Sequence, residues 1–283
     1  MSARDENISN SDFVRLRNLI YEQAGINLNA DKKTMLEQRV KRRLRGLHLA
    51  SFGEYCDYLF GPHGFKEEIV HLLDEVSTNK TDFYREPEHF EFLAQKAIPE
   101  LMSHHDSGRP LLIWSAGCST GEEPYTLTIV LSECIPSNPG LRFRVLATDL
   151  STTVLSKASH GVFSSEVVRP VPPALQRKYL MRSRNRQSDL VRVVPELRKL
   201  VEFRRLNFMD ADFGLTQKAD IIFCRNVLIY FDRVTQEKIV QKLAQQLLPG
   251  GYVFVGHCET LHDMDIPLVS VAPALYRKSN DRN

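Results

Sequence analysis

The sequence predicts an α/β fold: a mainly parallel, doubly wound sheet, interrupted by a small β-rich insertion and preceded by a small all-α domain. Three observations predict it. No strand pattern occurs before residue 110, where apolar residues recur at helical spacing. From residue 111 onward, short apolar runs alternate with helical segments, as βαβ units do. Residues 161–203 break that alternation with Pro170, Pro172 and Pro173, followed by short alternating runs. The expected organisation is a helical domain over 1–80 and an α/β domain over 81–283, with the insertion at about 161–203.

The elements follow in order. Residues 11–24 read as a helix, capped by Ser11 or Asp12 and stopped at Gly25. A second helix over 31–47, with Asp31 as an N-cap candidate, aligns Leu36, Val40, Leu44 and Leu47 on one stripe. Around that stripe lie Lys32, Lys33, Arg39, Lys41, Arg42, Arg43 and Arg45. Helices are expected over 52–60, 65–76 and about 88–104. LLIWS (111–115), RFRVLATD (142–149), DIIFC (220–224) and YVFVG (252–256) read as strands. Between them, helices fit about 122–134, 151–158 and 233–248, the last stopped by Pro249, Gly250 and Gly251. VRVV (191–194) and LVEFRRL (200–206) read as strands of the insertion, and LVSVAPALYRK as antiparallel edge strands.

Composition excludes several classes. Apolar residues make up 42% and charged residues 25% of the 283, as in an ordinary soluble domain. No run approaches the roughly 18 apolar residues of a membrane span, and the polar N-terminus does not read as a signal peptide, so a cytoplasmic location is expected. A net charge of +2 argues against a nucleic-acid footprint. Five scattered cysteines with no C-x-x-C pair indicate neither a disulfide framework nor a zinc site, and no metal is expected.

SAGCSTGEEPY (115–125) joins a strand to a helix, the ligand crevice of a doubly wound sheet. A phosphate ligand would favour a positive loop. This loop carries Glu122 and Glu123 with no nearby Lys or Arg, and lacks both the G-x-x-x-x-G-K-[ST] and the G-x-G-x-x-G pattern. An acidic rim suits a cationic ligand such as S-adenosylmethionine. Asp149, at the end of the next strand and 28 positions after Gly121, can accept both ribose hydroxyls of an adenosine ligand. Asn226, in FCRNVLIYF (223–231), faces the same crevice.

STNKTDFYRE (77–86), SAGCSTGEEPY, ATDLS, LNFMDADF, FCRNVLIYFD and PGGYVFVGHCE together resemble the chemotaxis receptor methyltransferases, the CheR family, over nearly the whole chain. The resemblance implies a Rossmann-like S-adenosylmethionine-dependent methyltransferase domain. Its activity would be methyl transfer to glutamate side chains of chemoreceptor helices, releasing S-adenosylhomocysteine. It implies cofactor contacts at Asn79, Thr81 and Arg85, and at Glu122 or Glu123 toward the methionine end, with Glu123 favoured. Asp149 would hold the ribose, Asn207 and Phe208 would border the adenine, and Asn226 and Val227 would lie near the reacting methyl. Arg85 and Tyr230 would line the substrate side. Departures are small: some relatives have alanine for Gly117 or Cys118, and many have serine for Cys258.

A glutamate has an unperturbed pKa of about 4.3, so it is ionised at neutral pH and methyl transfer to it needs no general base. His257, the only histidine in a motif, reads as structural. The basic helix 31–47 reads either as a solvated face or, given the resemblance, as a docking surface for an acidic receptor helix. Some relatives add a receptor's C-terminal peptide to the β insertion as an extra strand. The loop SRNRQSD (183–189) lacks the glycines of such binders, so that partner stays open. Two other readings are a methyltransferase of the same fold acting on a small molecule or nucleic acid, and a non-enzymatic cofactor sensor.

Overall fold

Residues 7–104, 108–183, 185 and 187–279 are described by a computed structural model. Four helices come first: α1 (Asn10–Ala24), α2 (Lys33–Leu47), α3 (Phe52–Leu59) and α4 (Gly64–Val76). Ser9 caps α1 by accepting from the Asp12 amide at 3.0 Å, and Ser51 caps α3 in the same way through Glu54. Asp31 caps nothing; it lies in a 3₁₀ turn, Ala30–Lys32, ahead of α2. Phe13, Leu16, Ile20, Leu36, Val40, Leu44, Phe52, Tyr55, Leu72 and Leu73 close one apolar core among these helices.

The basic helix α2 is only partly a solvated face. The Arg43 guanidinium meets the buried Glu68 carboxylate through two hydrogen bonds of 2.7 Å. Arg42 pairs with Glu75 at 2.6 Å, and Arg39 donates to the carbonyls of Glu75 and Ser77. These three arginines bind α2 to α4 and to the segment leaving it. Lys41 and Arg45, by contrast, make no ion pair among the described residues and project from the opposite rim.

Helices α5 (Pro87–Phe92) and α6 (Ile98–His104), joined by a π-helical turn over Leu93–Ala97, lead into the sheet. The rest of the chain runs β1 (Leu111–Ala116), α7 (Glu122–Cys134), β2 (Phe143–Asp149), α8 (Thr152–His160), β3 (Val162–Ser164), α9 (Pro173–Tyr179), β4 (Leu180–Arg182), β5 (Leu190–Val193), α10 (Pro195–Arg198), β6 (Val201–Arg205), β7 (Ala219–Cys224), α11 (Arg233–Gln245), β8 (Leu247–Val255), β9 (Leu268–Ala272) and β10 (Leu275–Lys278). Seven strands form the main sheet in the order β6-β2-β1-β7-β8-β10-β9. The first five are parallel, β10 runs antiparallel to them beside β8, and β9 pairs antiparallel with β10 at the edge. Strands β1 and β7 are buried at every position, so their unbroken apolar runs reflect coverage on both faces.

Two expectations need correction. LVEFRRL, expected in the insertion, instead forms β6, which pairs parallel with β2 as an edge of the main sheet. The small sheet holds only β3, β5 and β4. Alternating burial fits either kind of edge strand, so pattern alone could not tell the two apart. The helix expected over 233–248 ends at Gln245, and Pro249–Gly251 sit in β8 where its register against β7 shifts. Within loop 183–189, Arg184 and Arg186 lie outside the described residues.

The helical unit packs onto the open end of the sheet. Asp74 of α4 accepts from the amides of Thr152 and Thr153 and from both hydroxyls, placing a carboxylate at the N-terminus of α8. Tyr21 of α1 donates to Asp232 at 2.6 Å, and the Asn27 amide donates to the Tyr230 carbonyl at 2.8 Å.

Candidate functional site

Strand order reverses at β1, whose neighbours are β2 and β7, and a crevice opens beyond the C-terminal ends of these strands. The space within it, part of it open to solvent, is about 990 Å³. Its floor is the loop after β1. Gly117 there has φ +92°, and a Cβ would lie 2.4 Å from Val227 Cγ2, so a side chain here is strained and would force Val227 to shift. Gly121 has φ +102°, and a Cβ would crowd Ala158 of α8 at 3.0 Å.

The crevice gathers Asn79, Thr81, Arg85, Glu123, Asp149, Asn207, Phe208, Asn226, Val227 and Tyr230 along one lining. Ala24 and Ile26 of the helical unit complete it. Glu122, the alternative to Glu123, lies outside. Its carboxylate accepts from the Thr120 hydroxyl at 2.7 Å and borders a separate hollow beside Lys157, His160 and Phe163. Successive helical residues point about 100° apart, so only one of two adjacent glutamates can face the crevice.

Each wall is held by identifiable bonds. Asp149 accepts from the Ser119 amide and from the Ser151 amide, both at 2.9 Å. A carboxylate offers about four lone-pair sites, so these amides do not saturate it and acceptor capacity remains for a ligand hydroxyl. Burial raises the Asp149 pKa against the pull of these amides. Glu123 accepts from the Ser115 hydroxyl at 2.7 Å and from Arg225 at 3.1 Å. Its pKa is also raised by burial, with Arg225 and Ser115 pulling the other way.

Arg225 corrects the expectation that no cation lies near the acidic loop. It comes from just beyond β7, is 6% exposed, and bridges Glu123 to Glu86 at 3.0 Å while donating to the Arg85 carbonyl. Burial raises the Glu86 carboxyl, but Arg225 and donors from Asn226 and His257 outweigh it and leave the pKa lowered. The segment 84–86 is fixed by this clamp despite positive φ at Tyr84 and Glu86. The Arg85 side chain donates to the Lys80 carbonyl at 3.0 Å, closing the turn on which it sits.

Asn226 also has positive φ, +58°. Its amide donates to Glu259 at 2.8 Å, as do the amides of Gly256 at 2.6 Å and Ile229 at 3.2 Å. One buried carboxylate therefore shapes the loop that carries Asn226, Val227 and Tyr230. Asn207 is half engaged already, donating to the Gln23 carbonyl at 2.6 Å. Phe208 packs against Phe213 and Phe231 and leaves an apolar edge on the lining. Arg225, Glu86 and Glu259 were not singled out from sequence. Each stood in a quoted motif, and a buried charge within a motif was the available signal.

A family model described as "CheR methyltransferase, SAM binding domain" matches residues 79–272, and one described as "CheR methyltransferase, all-alpha domain" matches residues 11–77. The chain belongs to the CheR methyltransferase family. It is similar to the chemotaxis protein methyltransferase of Borreliella burgdorferi, at 37% identity over 276 residues and 96% of each chain. It is 39% identical over 266 residues to chemotaxis protein methyltransferase 2 of Pseudomonas aeruginosa, covering 94% of this chain and 92% of that one. Against the chemotaxis protein methyltransferase of Escherichia coli the identity is 36% over 274 residues, covering 97% and 93%. As a CheR protein, the chain is an S-adenosylmethionine-dependent methyltransferase of chemotaxis signalling. No helix among the described residues is long and apolar enough to cross a membrane.

Proposed function

We propose that the chain is a protein-glutamate O-methyltransferase acting on the cytoplasmic helices of chemoreceptors. The observation that carries this reading is the meeting of two kinds of side chain in one crevice. Carboxylates at Glu123 and Asp149 line it together with Arg85, Tyr230 and Asn226. Asp149 retains free lone pairs for a ribose diol, Glu123 offers an anion for an ammonium, and Phe208 with Val227 offers apolar surface for a base. These features fit S-adenosylmethionine. When bound, that group supplies an electrophilic methyl carried on a sulfonium.

The remaining work falls to the chain. Arg85 spends one guanidinium nitrogen on the Lys80 carbonyl and has donors left to orient an incoming carboxylate. Tyr230 is held by Asn27 through its carbonyl, which leaves its hydroxyl available to the crevice. Positioning and partial desolvation of an already ionised nucleophile supply the acceleration. Incubation with labelled S-adenosylmethionine and receptor tests the reading. A base-labile methyl ester is expected, and a base-stable product would reject glutamate as the acceptor. Arg85→Ala is expected to lower turnover on the order of 100-fold or more with the fold intact.

Docking through α2 enters the proposal in modified form. Arg39, Arg42 and Arg43 are tied to α4 and its exit, so their neutralisation would perturb the fold as well as a partner. Lys41 and Arg45 are the residues whose charge reversal should weaken receptor methylation and its salt sensitivity while cofactor affinity stays unchanged.

A further inference from the structure

Beside Arg85 lies a group of metal-ligating side chains, of which only Glu86 has entered the roles above. Glu86, His89 and His257 each present one ligand atom, and the three atoms lie within 4.8 Å of one another. His89 Nδ1 is 3.4 Å from Glu86 Oε2, and the His89 and His257 rings meet edge to face with centroids 4.9 Å apart. Glu86 precedes α5, His89 sits in its first turn, and His257 follows β8, so the fold assembles what no sequence spacing displays.

His89 is the second observation. It is 1% exposed, and neither ring nitrogen has a hydrogen-bond partner among the described residues. Buried polar groups are paired in folded proteins almost without exception, and an orphan at this depth asks for a partner. A neutral imidazole keeps a lone pair for a cation, and both ring nitrogens of His89 are still to be matched. The surroundings do not repel one on balance. The Arg225 guanidinium faces two carboxylates, Glu86 and Glu123, leaving a net negative cluster.

We propose that Glu86, His89 and His257 form a binding site for a divalent d-block cation, with Zn²⁺ the best fit to two imidazoles and a carboxylate. Small side-chain rotations contract the ligand atoms onto the ion. Three protein ligands leave at least one position to water, and the exposed His257 ring provides the entry path. Glu86 is also the carboxylate that Arg225 grips, and Arg225 holds the Arg85 carbonyl. Drawing Glu86 toward a cation loosens that clamp, so occupancy slows methyl transfer. This consequence rests on the role proposed for Arg85; the binding site does not.

The test uses the full chain, titrated with Zn²⁺ by calorimetry and with Co²⁺ by visible absorption. One Zn²⁺ per chain and a Co²⁺ spectrum of low coordination number are expected. Because the His257 ring is exposed, His257→Ala should keep the fold and weaken Zn²⁺ binding about tenfold or more. His89→Gln should do the same, and Cys258→Ser should bind as the unmodified chain does. Unchanged affinity in His257→Ala, loss in Cys258→Ser, or no saturable binding in the unmodified chain would each overturn the site. In a methylation assay, Zn²⁺ should inhibit the unmodified chain reversibly and spare His257→Ala, whose basal rate is unchanged. Stoichiometric Zn²⁺ binding with full activity would overturn the coupling and leave the site standing.

Discussion

Arg225→Met removes a cation shared by two carboxylates and a backbone carbonyl. The guanidinium is 6% exposed, lies 3.0 Å from Glu86 and 3.1 Å from Glu123, and stands over the Phe90 ring at 5.3 Å. Deleting one partner of a buried pair costs about 3–5 kcal/mol, because the other charge stays buried and uncompensated. Two stranded carboxylates place this site toward the upper end, and methionine keeps much of the stem packing. The expected fall in melting temperature is on the order of 10 °C. The loss should depend on pH. Burial already raises the Glu123 pKa, with Arg225 the strongest opposing influence, so without Arg225 its folded-state pKa rises further above the unfolded value. The folded variant then takes up a proton that its unfolded chain declines, and the deficit against the unmodified protein shrinks as pH falls from 8 toward 5. Scanning fluorimetry at several pH values reads both effects. Arg225→Lys should recover little, since a compact ammonium lacks the guanidinium fork that reaches Glu86, Glu123 and the Arg85 carbonyl together. A melting temperature within about 2 °C of the unmodified chain at pH 8 would refute the clamp.

Further outcomes follow from single contacts. Glu123→Gln should weaken S-adenosylmethionine binding about tenfold, and Glu122→Gln should leave it within about twofold, as measured by calorimetry. Gly117→Ala should cost about 1–3 kcal/mol and reduce cofactor affinity, because its Cβ would meet Val227 Cγ2 at 2.4 Å at φ +92°; chemical denaturation checks it. His89 has a folded-state pKa of about 4, below the roughly 6.5 of an unfolded chain, mainly through burial. The unfolded chain therefore binds its proton first, and stability present above pH 6.5 is lost as pH falls toward 4, by about 3 kcal/mol in all. His89→Phe should flatten that limb of the metal-free stability curve.

The parts of the fold written as repeated patterns were legible. Helical stripes such as Leu36, Val40 and Leu44 and the runs LLIWS and DIIFC carry their own period and burial, and each became the expected element. Val201–Arg205 was misassigned because pairing partners are chosen by the fold, and alternation marks an edge strand of either sheet equally. In the site, crevice residues next to strand ends could be placed by topology alone. The choice between Glu122 and Glu123 could not, since it depends on the rotational phase of α7 about its axis. Apart from the nearby Gly256 amide on Glu259, the hydrogen-bond partners named for Arg225, Glu86 and Glu259 lie 30 to 171 positions away, and such pairings leave no local signature.

The same long-range pairing changes what an acidic loop means. A carboxylate buried like Glu123, standing alone, would be driven toward its neutral form, since desolvation penalises the charge. A neutral acid would offer little to an ammonium group. Arg225 opposes that drift and favours the anion, while its bond to the Arg85 carbonyl fixes the segment that carries Arg85. The negative charge offered to a cationic ligand thus depends on a cation held beside it in the same lining. Glu123 and Arg85, read from sequence as separate residues with separate tasks, share one support. Perturbing that support should impair cofactor binding and acceptor orientation together, whereas changing Asp149 or Tyr230 should impair them one at a time.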